Sequence, residues 1–501
     1  MIASATQNIG FLLKEVAESD PDHDAIVADD LLLSRKKLWQ IVESYAHCMI
    51  EKGISAGDLV TVDTSDAIVS IASVFALSLI GAQYVPFSGN LLNQDIPRIS
   101  HFIRSLERPE LPGHENIVID HTWSPKYRDT SRDKLKFQGF TSPEELCWIV
   151  PSSGTTGKPK YSALTARALF SRAQAIAEDY TEQSTRLLML FGCVSRPFII
   201  RAVSALITGQ TIVDTQNVEF CGLSGVNFVC ASPQQIKHWL LRSSMSPKIP
   251  VIQVSGARLE SAEINRLLNS FERVEDVYGS NETIKAYISI FSKDVGGVKH
   301  TGKPGSNFVE VVDDNNTPCP VGVNGQVRIK TNWMVEGYIG DEKATAEHFK
   351  EGWFYPGDLA VWHKNQILEI LGRKSDLVNI GGQKASLTDV ESCLVGAAQV
   401  AVASCFENPI EDYENQLAAC ITVSTWDDLF ETVEDAWKAC VKEFGPAVAP
   451  SVILVVPDLP MTQDGVVPRK LAVNIFANEL RTAGKVELNK RLFIFKVNFD
   501  E

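Results

Sequence analysis

The chain has 501 residues, 45% of them hydrophobic, which is enough for more than one hydrophobic core. Its 47 Lys and Arg residues against 62 Asp and Glu give a net charge of −15, and an acidic surface repels phosphate backbones, so no nucleic-acid partner is expected. The ten cysteines lack metal-ligand spacing, and no signal peptide or membrane span is evident, so we expect a cytoplasmic protein with free thiols.

The first 140 residues alternate between helical and strand patterns. Residues 35–54 carry apolar side chains at helical spacing, and GDLVTVDT at 57–64 predicts a strand. The apolar run 67–82 predicts a buried helix, and QYVPF at 83–87 predicts another short strand. This alternation is typical of a layered α/β architecture.

The same rhythm continues over residues 141–290. LCWIVPS at 146–152 predicts a strand, and residues 163–180 predict a helix after a glycine-rich loop. Residues 226–241 and 249–268 each predict a strand, a turn and a helix.

A β-rich portion is predicted from about residue 300 to 370, with strands in NFVEVVDD, GQVRIKT, MVEGYIG and LAVWHKNQILEILGR. After Arg373 the pattern returns to mixed helix and strand, with a helix in LTDVESCLVGA and a strand in SVILVVPDLP. We therefore expect a large α/β N-terminal domain with a β-rich portion over 1–373. A smaller α+β C-terminal domain is expected over 374–501.

The loop within IVPSSGTTGKPKYSALT, at 149–165, combines glycines with hydroxyl and lysine side chains. Such a turn can direct backbone N–H groups at an anion. Only Thr155 and Thr156 separate Gly154 from Gly157, so it is not a Walker loop, and no GxGxxG pattern opens a helix. By itself the stretch fits either a phosphate-binding loop or a structural polar turn.

Six stretches together resemble the adenylate-forming ligases, the ANL superfamily of acyl- and aryl-CoA synthetases, luciferases and peptide-synthetase adenylation domains. SSGTTGKPK is similar to the family's phosphate loop, VYGSNET to its tyrosine–glycine–glutamate signature and WFYPGD to its ribose-binding element. LIGAQYVPF, GQVRIKTNWMVEGY and LGRKSDLVNIGGQK follow the family order as well. The resemblance spans roughly residues 20 to 471.

The resemblance implies activation of a carboxylic acid by ATP to an acyl-adenylate, followed by transfer to a thiol. It implies that Glu282 is the Mg²⁺ ligand and that Asn281 donates a hydrogen bond to the α-phosphate. Lys160 is implied as a further catalytic residue that holds the phosphates. Lys374 and Ser375 would form a hinge for domain rotation, and Gly381 and Gly382 the thiol-acceptor loop. The implied nucleotide-binding residues are Ser152, Ser153, Gly154, Thr155, Thr156, Gly157, Lys160, Tyr278 (stacked on adenine), Gly279, and Asp358 and Arg373 (on the ribose).

One departure from the family lies near the C-terminus. LPMTQDGVVPRKLA, at 459–472, resembles the family's LPxTxxGKVxRxxL, but Val466 occupies the position of the adenylation lysine. Loss of such a preorganised charge is expected to slow adenylation by ~10²–10³. Lys470 or Arg469 could replace it, or Lys485 in AGKVELNK, or the chain could bind AMP or an acyl-adenylate without making one. Three smaller departures are Tyr161, where glycine is usual, Asn281, where threonine is usual, and Ser375, where many relatives carry an aspartate or lysine.

The acyl pocket implied by the resemblance is formed by Val194, Ser195, Arg196, Ser232, Gly256 and Ala257. The segment 190–203 lacks the aspartate that would pair an α-ammonium group, which disfavours an amino acid. Arg196, Arg201 and Lys285 fit either pairing with a second carboxylate or another anionic group, or an ordinary surface or helix-face position. Coenzyme A is the expected acceptor, and a phosphopantetheine-bearing acyl carrier protein is the alternative.

Overall fold

The computed structural model describes residues 7–87, 99–127, 136–152, 160–180, 184–240, 247–304, 308–397, 399–409, 415–461 and 467–482. Within them lie the helices α1 Ile9–Ser19, α2 Arg35–Glu51, α3 Ala67–Ile80, α4 Ala166–Ala177, α5 Arg196–Ile207, α6 Val218–Leu223, α7 Pro233–Leu240, α8 Ser261–Ser270, α9 Glu342–His348, α10 Leu387–Gly396, α11 Leu429–Phe444 and α12 Arg469–Thr482.

The strands of the first half are β1 Asp24–Ala28, β2 Leu31–Ser34, β3 Leu59–Asp63, β4 Gln83–Pro86, β5 His101–Ser105, β6 Glu115–Ile119, β7 Leu146–Ser152, β8 Lys160–Thr165, β9 Arg186–Met189, β10 Thr211–Asp214, β11 Phe228–Ala231, β12 Ile249–Ser255 and β13 Phe271–Tyr278. Those of the second half are β14 Tyr287–Asp294, β15 Gly297–Pro304, β16 Phe308–Val312, β17 Asn324–Lys330, β18 Phe349–Lys350, β19 Trp353–Phe354, β20 Asp358–Trp362, β21 Leu368–Arg373, β22 Leu377–Ile380, β23 Gln383–Ser386, β24 Val400–Glu407, β25 Leu417–Val423 and β26 Val452–Val455.

Two large sheets form the α/β part. One has six strands in the order β6-β5-β3-β4-β7-β8, and the other has nine in the order β15-β14-β13-β12-β11-β9-β10-β1-β2. The inner strands pair in parallel, and the helix α3 is buried on nearly every side between packed layers. The layered α/β architecture expected from the sequence is confirmed.

Two predicted boundaries in this part change. The helix predicted from residue 163 begins at Ala166, because β8 continues to Thr165 and pairs antiparallel with β7. Thr165 then caps the helix by accepting a hydrogen bond from the Ala168 N–H at 3.1 Å. The sequence pattern did not predict the hairpin of β14 and β15. It adds two antiparallel strands to the nine-stranded sheet beside β13.

The β-rich portion is also present, as the sheet β18-β19-β17-β20-β21 with β16 paired to β17. The strand predicted in MVEGYIG is wrong, since residues 334–338 adopt no regular structure. Their backbone groups bond elsewhere: the Val335 N–H donates to the Glu282 carbonyl, and the Ile339 N–H donates to the Tyr161 carbonyl. This segment therefore joins the β-rich sheet to the α/β part.

The described chain after Arg373 forms a β22–β23 hairpin and a three-stranded sheet, β24-β25-β26, covered by α10, α11 and α12. Its two hydrophobic clusters contain only residues from Val378 onward. The domain boundary after Arg373 stays a prediction. All ten cysteines are free thiols. Over the described ranges, no helix is both long and apolar enough to cross a membrane.

Candidate functional site

A cavity of about 310 Å³ lies where α4, α5, β8, β12 and the β13–β14 turn converge. Its wall also includes residues of the segments 338–356 and Arg373. The residues predicted from the sequence that line it are Lys160, Arg196, Arg201, Gly256, Gly279, Asn281, Glu282, Lys285 and Arg373. The structure thus brings together residues that are more than 200 positions apart in the chain.

The turn that carries Glu282 depends on a close approach of two backbone segments. A Cβ atom on Gly279 would lie 1.6 Å from the Ile284 carbonyl oxygen, so only glycine fits there. The Ala286 N–H donates to the Tyr278 carbonyl at 2.8 Å and closes the turn. Within it, the Asn281 side chain donates to the Pro151 carbonyl on β7 at 3.4 Å.

Arg172, on α4, holds this turn in place through hydrogen bonds to its backbone. Its guanidinium is buried and donates to the carbonyls of Asn281, Glu282 and Trp333 at 2.9, 2.7 and 2.9 Å. Burial lowers the pKa of Arg172 to about 9, and the nearby Glu282 carboxylate opposes that shift. The group is still a cation at neutral pH. Arg172 was not predicted from the sequence, because no motif marks it.

The Glu282 carboxylate is buried, and the Tyr338 hydroxyl donates to its Oε1 at 2.9 Å. The Lys160 ammonium lies 4.9 Å from the centre of the same tyrosine ring. Burial, and next the Glu282 charge, raise the pKa of Tyr338, so the hydroxyl remains a donor. Tyr338 belongs to the quoted GQVRIKTNWMVEGY stretch, and its contact with Glu282 was not anticipated there.

Asp358 forms a second buried acidic centre. The Tyr278 hydroxyl donates to its Oδ2 at 2.5 Å, and the Arg373 Nε lies 2.9 Å from its Oδ1. Burial raises the pKa of Asp358, whereas Arg373 and the Tyr278 hydrogen bond lower it. Each oxygen keeps acceptor capacity for another donor. The Tyr278 ring packs against the cluster that contains Tyr287 and Phe354, and its neighbours Val277 and Gly279 line the cavity.

A buried polar network occupies another part of the wall. The Lys285 ammonium lies 2.7 Å from Asp179 Oδ1, and both side chains are buried. The Gln253 amide donates to Asp179 Oδ2 at 3.1 Å and to Glu275 Oε2 at 3.2 Å, and its oxygen accepts from Arg201 at 3.3 Å. The surface interpretation of Arg201 and Lys285 is therefore wrong. Asp179 and Gln253 were missed, because no motif surrounds them.

The remaining pocket residues predicted from the sequence lie at the edges of elements. Val194 and Ser195 directly precede α5, and Ala257 is exposed after β12. Ser232 precedes α7, where its hydroxyl accepts from the Gln235 N–H at 3.3 Å. It therefore caps the start of that helix.

Three other predicted groups fall outside the cavity wall. Gly381 and Gly382 form the turn of the β22–β23 hairpin with φ of 57° and 87°, where open space surrounds them. Lys374 and Ser375 begin a short 3₁₀ turn, and Lys470 is exposed on α12. Ser152 is the last residue of β7. Ser153, Gly154, Thr155, Thr156, Gly157, Val466 and Lys485 lie outside the described residues.

Tyr161 and Arg469 have clear structural roles. The Tyr161 ring packs with Leu59, Val85 and Ile149 in a separate cluster, so its bulk is accommodated away from the cavity. Arg469 donates to Asp376 at 2.5 Å, to Glu391 at 3.0 Å and to the Cys405 carbonyl at 2.7 Å. It holds α12 against β24 and the 3₁₀ turn.

Comparison with known proteins places the chain among nucleotide-dependent enzymes. The family model of the AMP-binding enzymes matches residues 13–339. The chain is 23% identical to "Probable CoA ligase CCL9" of Humulus lupulus over 95% of this chain and 97% of that protein. It is also 23% identical to bacitracin synthase 1 of Bacillus licheniformis, over 91% of this chain but only 9% of that protein.

The fold is that of solved acyl-CoA synthetases. O-succinylbenzoate coenzyme A synthetase from Bacillus subtilis, in complex with AMP, superimposes with a TM-score of 0.79 at 20% identity, covering 92% of this chain and 97% of that one. The same enzyme in complex with ATP and magnesium gives a TM-score of 0.76 at 20% identity, covering 92% and 98%.

Proposed function

The chain belongs to the AMP-binding enzyme family, and we propose that it uses ATP to convert a carboxylic acid into an acyl-adenylate and then transfers the acyl group to coenzyme A. The observation that carries this proposal is the buried Glu282 carboxylate, oriented by Tyr338 and placed with Lys160 and Asn281 in one cavity wall. Such a wall combines an acceptor for a metal with donors for phosphate oxygens.

Magnesium fits the residues present. Mg²⁺ is usually held in proteins by one or two carboxylates together with substrate phosphates and water. Glu282 supplies one carboxylate, and its Oε1 is already oriented by Tyr338. Throughout the described ranges, no group of three or more His, Cys, Asp or Glu could hold a metal without phosphate. When bound, the ion would offset charge on the transferring phosphate group.

The two half-reactions require different partners at one cavity, and we propose that the C-terminal domain rotates about Lys374 and Ser375 to supply them. Lys374 pairs with Asp314 at 3.6 Å, but both side chains are exposed, so the pair contributes little and breaks at small cost. Arg469 ties α12 to Asp376, just beyond the hinge. The helix α12 and the segment that begins at Asp376 would therefore move together as one rigid body. The open turn at Gly381 and Gly382 would guide the thiol.

Val466 bears on the first half-reaction. Arg469 cannot replace the missing lysine without giving up its bonds to Asp376 and Glu391, whereas Lys470 is exposed and available. Lys485 is the other candidate. Without a replacement, a variant function would be binding of AMP or an acyl-adenylate with weak adenylation.

The experiment that tests the proposal is carboxylate-dependent exchange of pyrophosphate into ATP across a panel of acids. We expect exchange in the native chain that falls at least 100-fold in Glu282→Gln, by analogy with removal of one electrostatic contact at a reacting centre. Exchange that vanishes in Lys485→Ala but survives in Lys470→Ala would identify the replacement lysine. Exchange seen only in Val466→Lys would identify a lost first step.

Two further results would decide the acceptor and the nucleotide site. Thioester formed with coenzyme A supports the main proposal, and thioester formed only on a phosphopantetheine-bearing carrier protein supports the alternative. If saturating Mg·ATP and AMP left the melting temperature unchanged, the proposed function would be refuted.

A further inference from the structure

Arg201 is a buried cation in the cavity wall with few partners. It is 9% exposed, lies on α5 and makes no ion pair with any residue that the structure describes. The two oxygens to which it donates are neutral, the Pro197 carbonyl at 3.2 Å and the Gln253 amide at 3.3 Å. Its Nε is buried and has no hydrogen-bond partner.

The neighbouring carboxylates, by comparison, are each in an ion pair. Asp179 pairs with Lys285 at 2.7 Å, and Glu275 pairs with Arg273 at 3.0 Å. Arg172 also lacks an ion pair among the described residues, but it donates to three carbonyls, whereas Arg201 donates to two oxygens. Because a buried cation without an anionic partner is costly, the imbalance at Arg201 calls for an anion from outside the chain.

The start of α5 strengthens this demand. Arg196, Pro197, Ile200 and Arg201 all line the cavity, so the first turns of the helix face it. The N-terminal end of a helix carries partial positive charge, and Arg196 adds a second guanidinium there. Asp179, the carboxylate in this part of the wall, is occupied by Lys285 and Gln253 and cannot offer itself to an ammonium group without losing them.

We infer that the acid activated by this protein is a dicarboxylate, whose second carboxylate is bound at Arg201 while the first reacts. A planar guanidinium matches a carboxylate in shape and charge, which a neutral polar group does not. The apolar side chains of Phe191 and Ile200 beside Arg201 would cover the carbon skeleton between the two carboxylates. The inference rests on the proposed function and narrows its substrate.

The test compares straight-chain dicarboxylates of four to eight carbons and the three benzenedicarboxylates, each with its own monomethyl ester. Binding is measured by titration calorimetry without nucleotide, and turnover by pyrophosphate exchange. The variants are Arg201→Met, Arg201→Lys and the control Arg167→Met, on the exposed side of α4 and outside the cavity wall.

We expect at least one dicarboxylate to bind at least tenfold more tightly than its monoester in the native chain and in Arg167→Met. Arg201→Met should abolish this preference and leave monoester affinity unchanged, and Arg201→Lys should retain part of it. A panel without any preferred dicarboxylate, or an equal loss for acid and ester in Arg201→Met, would overturn the inference.

The inference and the proposed function fail separately. If monoesters supported pyrophosphate exchange as well as dicarboxylates, the proposed reaction would stand and the dicarboxylate specificity would be refuted. Arg201-dependent dicarboxylate binding, with no exchange and no response to Mg·ATP, would keep the specificity and remove the reaction.

Discussion

Replacing Arg172 by methionine tests whether the Glu282 turn is held by one buried guanidinium. The Glu282 carbonyl would keep the Val335 N–H as a donor, but the carbonyls of Asn281 and Trp333 would lose the donor that the structure gives them. An unsatisfied buried acceptor costs about 1–3 kcal/mol, so the two together cost about 2–6 kcal/mol. Removing a buried charge returns part of this, and we expect a net loss of about 2–4 kcal/mol in the free energy of unfolding.

The functional loss should be larger than the loss of stability alone explains. A displacement of about 1 Å at a reacting centre can cost ~10²-fold in rate, so pyrophosphate exchange should fall by about that factor in folded Arg172→Met. Arg172→Lys should be intermediate, because an ammonium cannot present the same fork of donors to three carbonyls.

The assay is urea unfolding followed by tryptophan fluorescence, together with exchange measured well below the unfolding transition. Arg167→Met is the matched control, since Arg167 lies on the same helix in an ion pair with Glu144 whose side chains are 52% and 62% exposed. Such pairs contribute about 0–1 kcal/mol. Equal unfolding midpoints for the two variants, or full exchange by Arg172→Met, would refute the reasoning.

Three further predictions concern single contacts. Tyr338→Phe keeps the ring beside Lys160 but removes the hydroxyl that donates to Glu282. Because a hydrogen bond to a charged group contributes about 1.5–3 kcal/mol, kcat/KM for ATP should fall ~10-fold or more. Unchanged steady-state kinetics would contradict this prediction. Burial raises the pKa of Asp276 to about 6, so its ionised form is disfavoured in the folded chain; Asp276→Asn should raise the melting temperature at pH 8, and a gain that does not vanish toward pH 4 would be contrary evidence. Arg469→Met should lower the free energy of unfolding, measured by thermal denaturation, by about 2–4 kcal/mol. This is somewhat less than the cost of breaking a fully buried ion pair, because Arg469 is partly exposed. The control Lys438→Met breaks an exposed ion pair and should change the free energy of unfolding little.

The alternation of helices and strands was predictable from the sequence because it is a local property. The helix α3 has apolar residues on all sides and ends at Gly81 in a left-handed conformation, and both features are visible in the sequence. The segment 334–340 has a strand-like composition as well. Its backbone bonds to Glu282 and Tyr161 instead, and no local pattern reports such distant partners.

The candidate site divides in the same way. Glu282 and Lys160 lie in short motifs whose residue types point to phosphate chemistry, and the structure places both in one wall. Arg172 and Gln253 lie in ordinary helix and strand sequence, and they matter only through partners such as Glu282 and Asp179, at sequence separations of 110 and 74. Residues that act by holding other residues leave no motif.

The cost of the buried charges argues for a bound ligand even if Val466 has weakened the first step. Glu282, Asp358 and Lys285 are all buried, and apolar side chains of similar volume would often be as stable or more stable in such positions. A cavity that had lost every ligand would have no physical need for these groups. Because Glu282 and Lys285 line one cavity and keep their hydrogen-bond and ion-pair partners, we expect the wall to bind a nucleotide and an acid even if the residue at position 466 slows the reaction between them.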